Sequence, residues 1–176
     1  MDGDREMELV DVFVQRRYGP AGMREPERPD SERLDPCLDL HGVVRQRSYL
    51  AQDGKRILCH FRAPDAESLR SALRVAGIDY DALWAGSMSD LPGAAEFVLV
   101  VERAFERPLS REEERACRAG TARCLLELGV VPARVLLSRC RRRLMWLCRA
   151  GTTEAVVAAE AELVGQGFEV WSCEAV

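Results

Sequence analysis

Two stretches, ELVDVFVQR from Glu8 and EFVLVVERAF from Glu96, alternate apolar and polar positions with period two, so each predicts a strand with one covered face. A helix is expected after each. The first runs from Asp30 to Leu40; the second is SREEERACRAGTARCLLEL, opened by Ser110 with Glu113 three residues on, a capping-box spacing. Gly42 and Gly129 stand just past these helices, where a left-handed cap favours glycine. Hairpins follow: VVRQRSYLA, the turn QDGK and RILCHFRA in one case, VPARVLLS, RCRRR and LMWLCRA in the other. Second helices are predicted at PDAESLRSALRVAG and TTEAVVAAEAELVGQG, and short strands carrying Trp84 or Trp171 close the pattern.

The pattern occurs twice because the chain resembles itself. Laying Glu8–Ser89 on Ala95–Val176 without a gap, an offset of 87, matches 19 of 82 positions. The matches include Val14 with Val101, Arg16 with Arg103, Arg47 with Arg134, Arg56 with Arg143 and Trp84 with Trp171. The expected architecture is therefore α+β: a tandem duplication of two ferredoxin-like βαββαβ units, residues 1–88 and 96–176, joined by a linker at 89–95. A four-stranded sheet with both helices on one face needs a cover for the other. The expectation is a pseudo-dimer of the dimeric α+β barrel type, with a pocket on the paired sheet faces, as a monomer or a homodimer.

Charge and composition narrow the function classes. A net charge of -4 and a pI near 5.4 speak against a nucleic-acid partner. The seven cysteines include no CxxC pair, which fits a reducing cytoplasmic compartment. No apolar run reaches the roughly 18 residues of a membrane span, so no membrane partner is expected. Phosphate-loop, dinucleotide, zincin, hydrolase-elbow and zinc-finger spacings are absent from the sequence. RCRRR at 139–143 stands where the other hairpin has its turn, and reads as a solvated tip.

SYLAQDGKRILCHFRAPDAESLRSALRVAGIDYDAL resembles the core of a family of small ferredoxin-like proteins of formerly unknown function that includes nickel-binding proteins of actinobacteria. The shared pattern is a hairpin ending in a cysteine strand, then Ala-Pro, an acidic or small residue, Ala-Glu, a helix and a glycine; here these are Cys59, Ala63, Pro64, Asp65, Ala66, Glu67 and Gly77. The resemblance implies nickel as a cofactor. Positions held by histidine in the nickel-binding members are Leu73, Ile78 and Trp84 in this chain, which leaves His41 and His60 as metal ligands, with Cys59 or Asp65 as further donors.

Other candidates come from one strand face. Asp11, Phe13 and Gln15 alternate on the first strand, Arg45, Arg47 and Tyr49 on the second, and Leu58, His60 and Arg62 on the third. Asp11, Tyr49 and His60 are the expected acid-base residues. Arg47 and Arg134, with Gln15 and Glu102 beside them, either clamp an anionic group of a small-molecule ligand or form arginine-glutamate pairs within the protein. At the offset of 87, Asp11, Tyr49 and His60 become Val98, Leu136 and Leu147. That asymmetry favours a small-molecule enzyme of acid-base type, an isomerase or cyclase; the alternative is a non-catalytic metal-binding or ligand-binding protein. His41, next to Gly42 at a helix end, also suits a role opposite the helix dipole, and Cys59 reads as a buried, inert thiol.

Overall fold

The computed structural model describes residues 8–19, 28–90 and 97–175. Its elements are β1 (Val10–Arg17), α1 (Arg28–Leu40), β2 (Val44–Ala51), β3 (Arg56–Ala63), α2 (Ala66–Ala76), β4 (Ala82–Asp90), β5 (Phe97–Ala104), α3 (Arg111–Glu127), β6 (Val130–Ser138), β7 (Arg143–Ala150), α4 (Thr153–Gly165) and β8 (Glu169–Ala175). Residues 91–95 of the expected linker lie outside the described residues, and Ser89 and Asp90 belong to β4.

The eight strands are hydrogen-bonded in the order β1-β3-β2-β8-β5-β7-β6-β4 and close into one barrel. This corrects the expectation of two tandem ferredoxin-like units forming a pseudo-dimer. Backbone pairing decides the difference. A separate four-stranded sheet would leave two rows of N–H and C=O groups open, and closure satisfies them. Two compact units are nevertheless distinguishable: residues 1–49 with 53–86, and residues 50–52 with 87–176. The short 50–52 segment carries the end of β2 into the second unit, where the Gln52 N–H donates to the Ser172 carbonyl at 3.0 Å.

In the first unit β1 lies between β3 and β4, antiparallel to both, with Phe13 opposite His60 on one side and Trp84 on the other. Val12 and Val14 turn to the helices and pack with Phe61, Leu69, Leu73 and Ile78, as the alternation requires. Asp65 caps α2 by accepting from the Ser68 N–H at 2.7 Å. Pro36 inside α1 removes one helical hydrogen bond.

The second unit repeats this layering with a larger core. Leu99 and Val101 pack against Leu125, Trp146, Leu163 and Phe168, and β5 pairs with β7 and β8. The predicted capping box is present, with Ser110 accepting from the Glu113 N–H and Glu113 from the Ser110 N–H. Gly42 and Gly129 have φ of 63° and 75°, the left-handed backbone their positions after α1 and α3 require.

Candidate functional site

The face of the first unit's sheet turned away from its helices carries a cross-strand row: His60 on β3, Phe13 on β1 and Trp84 on β4. The His60 and Phe13 rings stack, with centroids 4.9 Å apart and planes 19° from parallel. Trp84 tilts against the other side of Phe13 at 5.9 Å. Two residues before Phe13, the Asp11 carboxylate reaches across to His60, Oδ1 to Nε2 at 2.8 Å. His60 is 5% exposed and Phe13 1%, whereas the Asp11 side chain keeps 28% of its surface. The row is therefore open to solvent at its Asp11 end and closed at Gln15 and Leu58, both buried.

This geometry sets the proton inventory of the imidazole. An ionised carboxylate can only accept, so Nε2 carries the hydrogen that Asp11 receives and the lone pair is on Nδ1. Nδ1 has no hydrogen-bond partner among the described residues. Stacking on Phe13 fixes the ring plane, and Asp11 fixes its rotation. Such a fixed imidazole with a free basic nitrogen can take a proton from a bound molecule and return it elsewhere.

The other expected residues are distributed more widely. Tyr49 is buried on β2. Arg47 is exposed on the same strand. Arg45, expected on the sheet face, instead pairs with Asp35 of α1 at 3.0 Å. Arg134 is half-buried on β6 opposite Leu147. Glu102 is buried and accepts from the Arg143 guanidinium. Sequence reasoning passed over Arg143 as part of a solvated tip, although its match with Arg56 marked the position. That tip is mixed: Arg139, Cys140 and Arg142 are exposed, while Arg141 bonds Glu114 of α3 at 2.7 Å.

The donors for a nickel ion do not fit. His41 sits on the turn after α1, its backbone N–H bonded to Cys37 and Leu38 carbonyls, and His60 has its Nε2 engaged by Asp11. Asp65 is occupied as the cap of α2. Burial pushes the Cys59 thiol up against the opposing effect of a hydrogen bond from Ser48. Among the described residues no group of three or more His, Cys, Asp or Glu side chains is placed to hold a metal. No helix among them is long and apolar enough to cross a membrane.

No protein-family model matches the chain, and no curated protein matches it. Solved structures do. An anthrone oxidase-like protein superposes with a TM-score of 0.50 at 10% identity, over 96% of this chain and 92% of its own. A protein named as a chlorite dismutase superposes with a TM-score of 0.51, also at 10% identity, over 96% of this chain and 94% of its own. At such identity the likeness concerns the fold, an α+β barrel, over nearly the whole length.

Proposed function

We propose that the chain is a small-molecule enzyme of acid-base type, an isomerase or cyclase, in which His60 is the general base and Asp11 its orienting partner. The observation that carries this reading is the 2.8 Å contact between Asp11 Oδ1 and His60 Nε2, which leaves Nδ1 unbonded beside a solvent-facing carboxylate. The names of both fold neighbours are those of proteins acting on small molecules, which agrees in kind with this reading. The internal repeat agrees too, if the unit of residues 1–88 kept its polar face while that of residues 96–176 lost it.

In this mechanism Nδ1 removes a proton from a C–H or O–H of the substrate, giving an imidazolium and a substrate anion. Asp11, accepting the Nε2–H throughout, stabilises the imidazolium without itself taking the proton. The same Nδ1–H then reprotonates the substrate at another atom, so the reaction is an isomerisation, or a ring closure once the anion has attacked an electrophilic carbon. Trp84, partly exposed beside Phe13, offers a flat substrate a stacking surface. Tyr49 is the second proton-transfer group of this proposal, and Arg47 and Gln15 of the same unit are its ligand-contacting residues.

The test is deuterium incorporation. Flat aromatic ketones and phenols are incubated with the protein in D2O and followed by proton NMR. Wild-type protein is expected to accelerate exchange at an activated C–H of at least one compound. His60→Gln should lower that rate about 10²–10⁴-fold, the usual worth of a positioned base. Asp11→Asn should lower it less, and Tyr49→Phe with His60→Ala should abolish it in a protein that stays folded. Exchange by His60→Gln at the wild-type rate ends the assignment.

A further inference from the structure

The second unit contains a cleft that the acid-base reading does not use. It has a volume of about 420 Å³ and lies over α3, lined by Arg103, Phe105, Leu109, Cys117, Gly120 and Phe168, among others. Arg103 projects from β5 with its guanidinium 5.5 Å from the Phe105 ring centroid and 5.0 Å from that of Phe168. Held over two rings, it makes no hydrogen bond or ion pair with the protein among the described residues. Its N–H donors therefore face the cleft unspent.

The neighbouring groups leave that charge uncompensated. Glu113 also lines the cleft, but its carboxylate is taken by the Arg107 guanidinium and the Ser110 N–H. These contacts, Arg107 first, hold its carboxyl down at about 2. Cys117 contributes no charge: burial pushes its thiol up, outweighing the Thr121 hydroxyl bonded to it and the nearby Arg103. Thr121 and Gln166, whose amide N–H donates to Glu162, add uncharged polar groups, and Leu109, Phe105, Ala116 and Phe168 supply the apolar part of the lining.

Gly120 shows that the space is kept open from the helix side. It lies in the middle of α3, where glycine is less favourable than alanine by about 1 kcal/mol, yet an added Cβ would meet nothing within 4 Å. At the offset of 87 the first unit has Arg33 at this place, and its Arg16 stacks on the ring of Tyr18 at 5.3 Å. The double-ring seat for an arginine and the helical opening occur together in the second unit.

We propose that this cleft binds a small aromatic monocarboxylate, with the carboxylate on the Arg103 guanidinium and the flat body against Phe105, Phe168 and Leu109. The charge count selects a monoanion, because one cation is free and the Arg107-Glu113 pair is neutral. The apolar lining selects a body without further charge. An arginine fork prefers the planar, two-oxygen acceptor that a carboxylate supplies.

The experiment uses the full chain and fluorine NMR with two probes of equal shape, 4-fluorobenzoate and the neutral 4-fluorobenzyl alcohol. Benzoate is expected to bind in the millimolar range or tighter, at least about tenfold more tightly than the alcohol, as one charge-assisted contact provides. Amide shifts should move at Gly120 and Thr121. Arg103→Gln should weaken benzoate about tenfold, Gly120→Met should abolish binding by filling the cleft, and Gly120→Ala should leave it. Because Gly120→Met improves helix propensity, it serves as the deciding variant should Arg103→Gln not fold. His60→Gln should bind benzoate as wild type does, so this site and the acid-base site fail separately. Benzoate binding no better than the alcohol, or unaltered in Gly120→Met, overturns the proposal.

Discussion

The two units place different residues on equivalent strands. In the first, β1, β3 and β4 present Asp11, Phe13, His60 and Trp84, a carboxylate-imidazole pair among rings. In the second, β5, β7 and β8 present Val100 opposite Leu147 and Trp171, with Leu136 and Met145 nearby and fully buried. Glu102 on that face is closed off by Arg143. A sheet position that holds a carboxylate-imidazole pair in one unit holds aliphatic packing in the other, so the frame does not need polar residues there.

Exchanging the residues tests this contrast. Leu147→His places an imidazole at a position 3% exposed, with Val98 in the place equivalent to Asp11 and the Glu102 carboxylate taken by Arg143, and should cost about 3 kcal/mol through lost apolar burial and an unsatisfied polar ring. Chemical denaturation measures it. The reverse change, His60→Leu, should alter stability by no more than about 1 kcal/mol, because the Asp11 left behind reaches solvent, while proton exchange is lost. If both swaps were equally costly, the polar row would be a structural element and the contrast would fail.

A smaller effect separates Arg143 from Arg56, which stands 87 residues before it. Arg143→Met removes the guanidinium from the buried Glu102 carboxylate and should cost about 2 kcal/mol; Arg56→Met, in the unit that has the neutral Gln15 at the position equivalent to Glu102, should cost less than half of that. Urea midpoints for both variants at one pH settle the comparison.

The least effect is expected at the start of α3, where the capping box joins Ser110 and Glu113. Glu113 is ionised far more readily in the folded protein than its ordinary 4.5, titrating at about 2. Its contribution is therefore whole above the unfolded value and disappears as pH falls from 4.5 towards 2. Glu113→Ala should lower the melting temperature slightly at pH 7, and the gap from wild type should shrink to nothing by the acid end of that window. A gap independent of pH would mean that the side chain acts by packing, not by charge.

Much of this was legible along the chain because it depends on local periodicity. The Asp-Gly turn, the Ser110 box, the glycines after α1 and α3, and the helix-facing Val12, Val14, Leu99 and Val101 all follow from residues a few positions apart. Asp11 and His60 were named from alternation, but alternation gives faces and not register. That β1 and β3 slide to put Phe13 opposite His60, so that Asp11 falls on the imidazole from the diagonal, is a property of the pairing. Barrel closure was misread for the same reason: pairing between β2 and β8 joins segments more than a hundred residues apart and has no short-range signal. The Arg103 cleft was missed although Gly120 within a strong helix pattern hinted at it.

The Asp11-His60 bond links residues 49 apart, on strands that pair only after α1 and β2 have been laid down between them. Closing so long a loop is an entropic cost met late, whereas helix turns and the β2-β3 hairpin form within microseconds. A chain refolding from denaturant would thus acquire most of its helical circular dichroism before its base is assembled. On the acid-base proposal, regain of proton exchange would serve as a clock for the β1-β3 docking step, reading out one long-range event in the folding of the first unit.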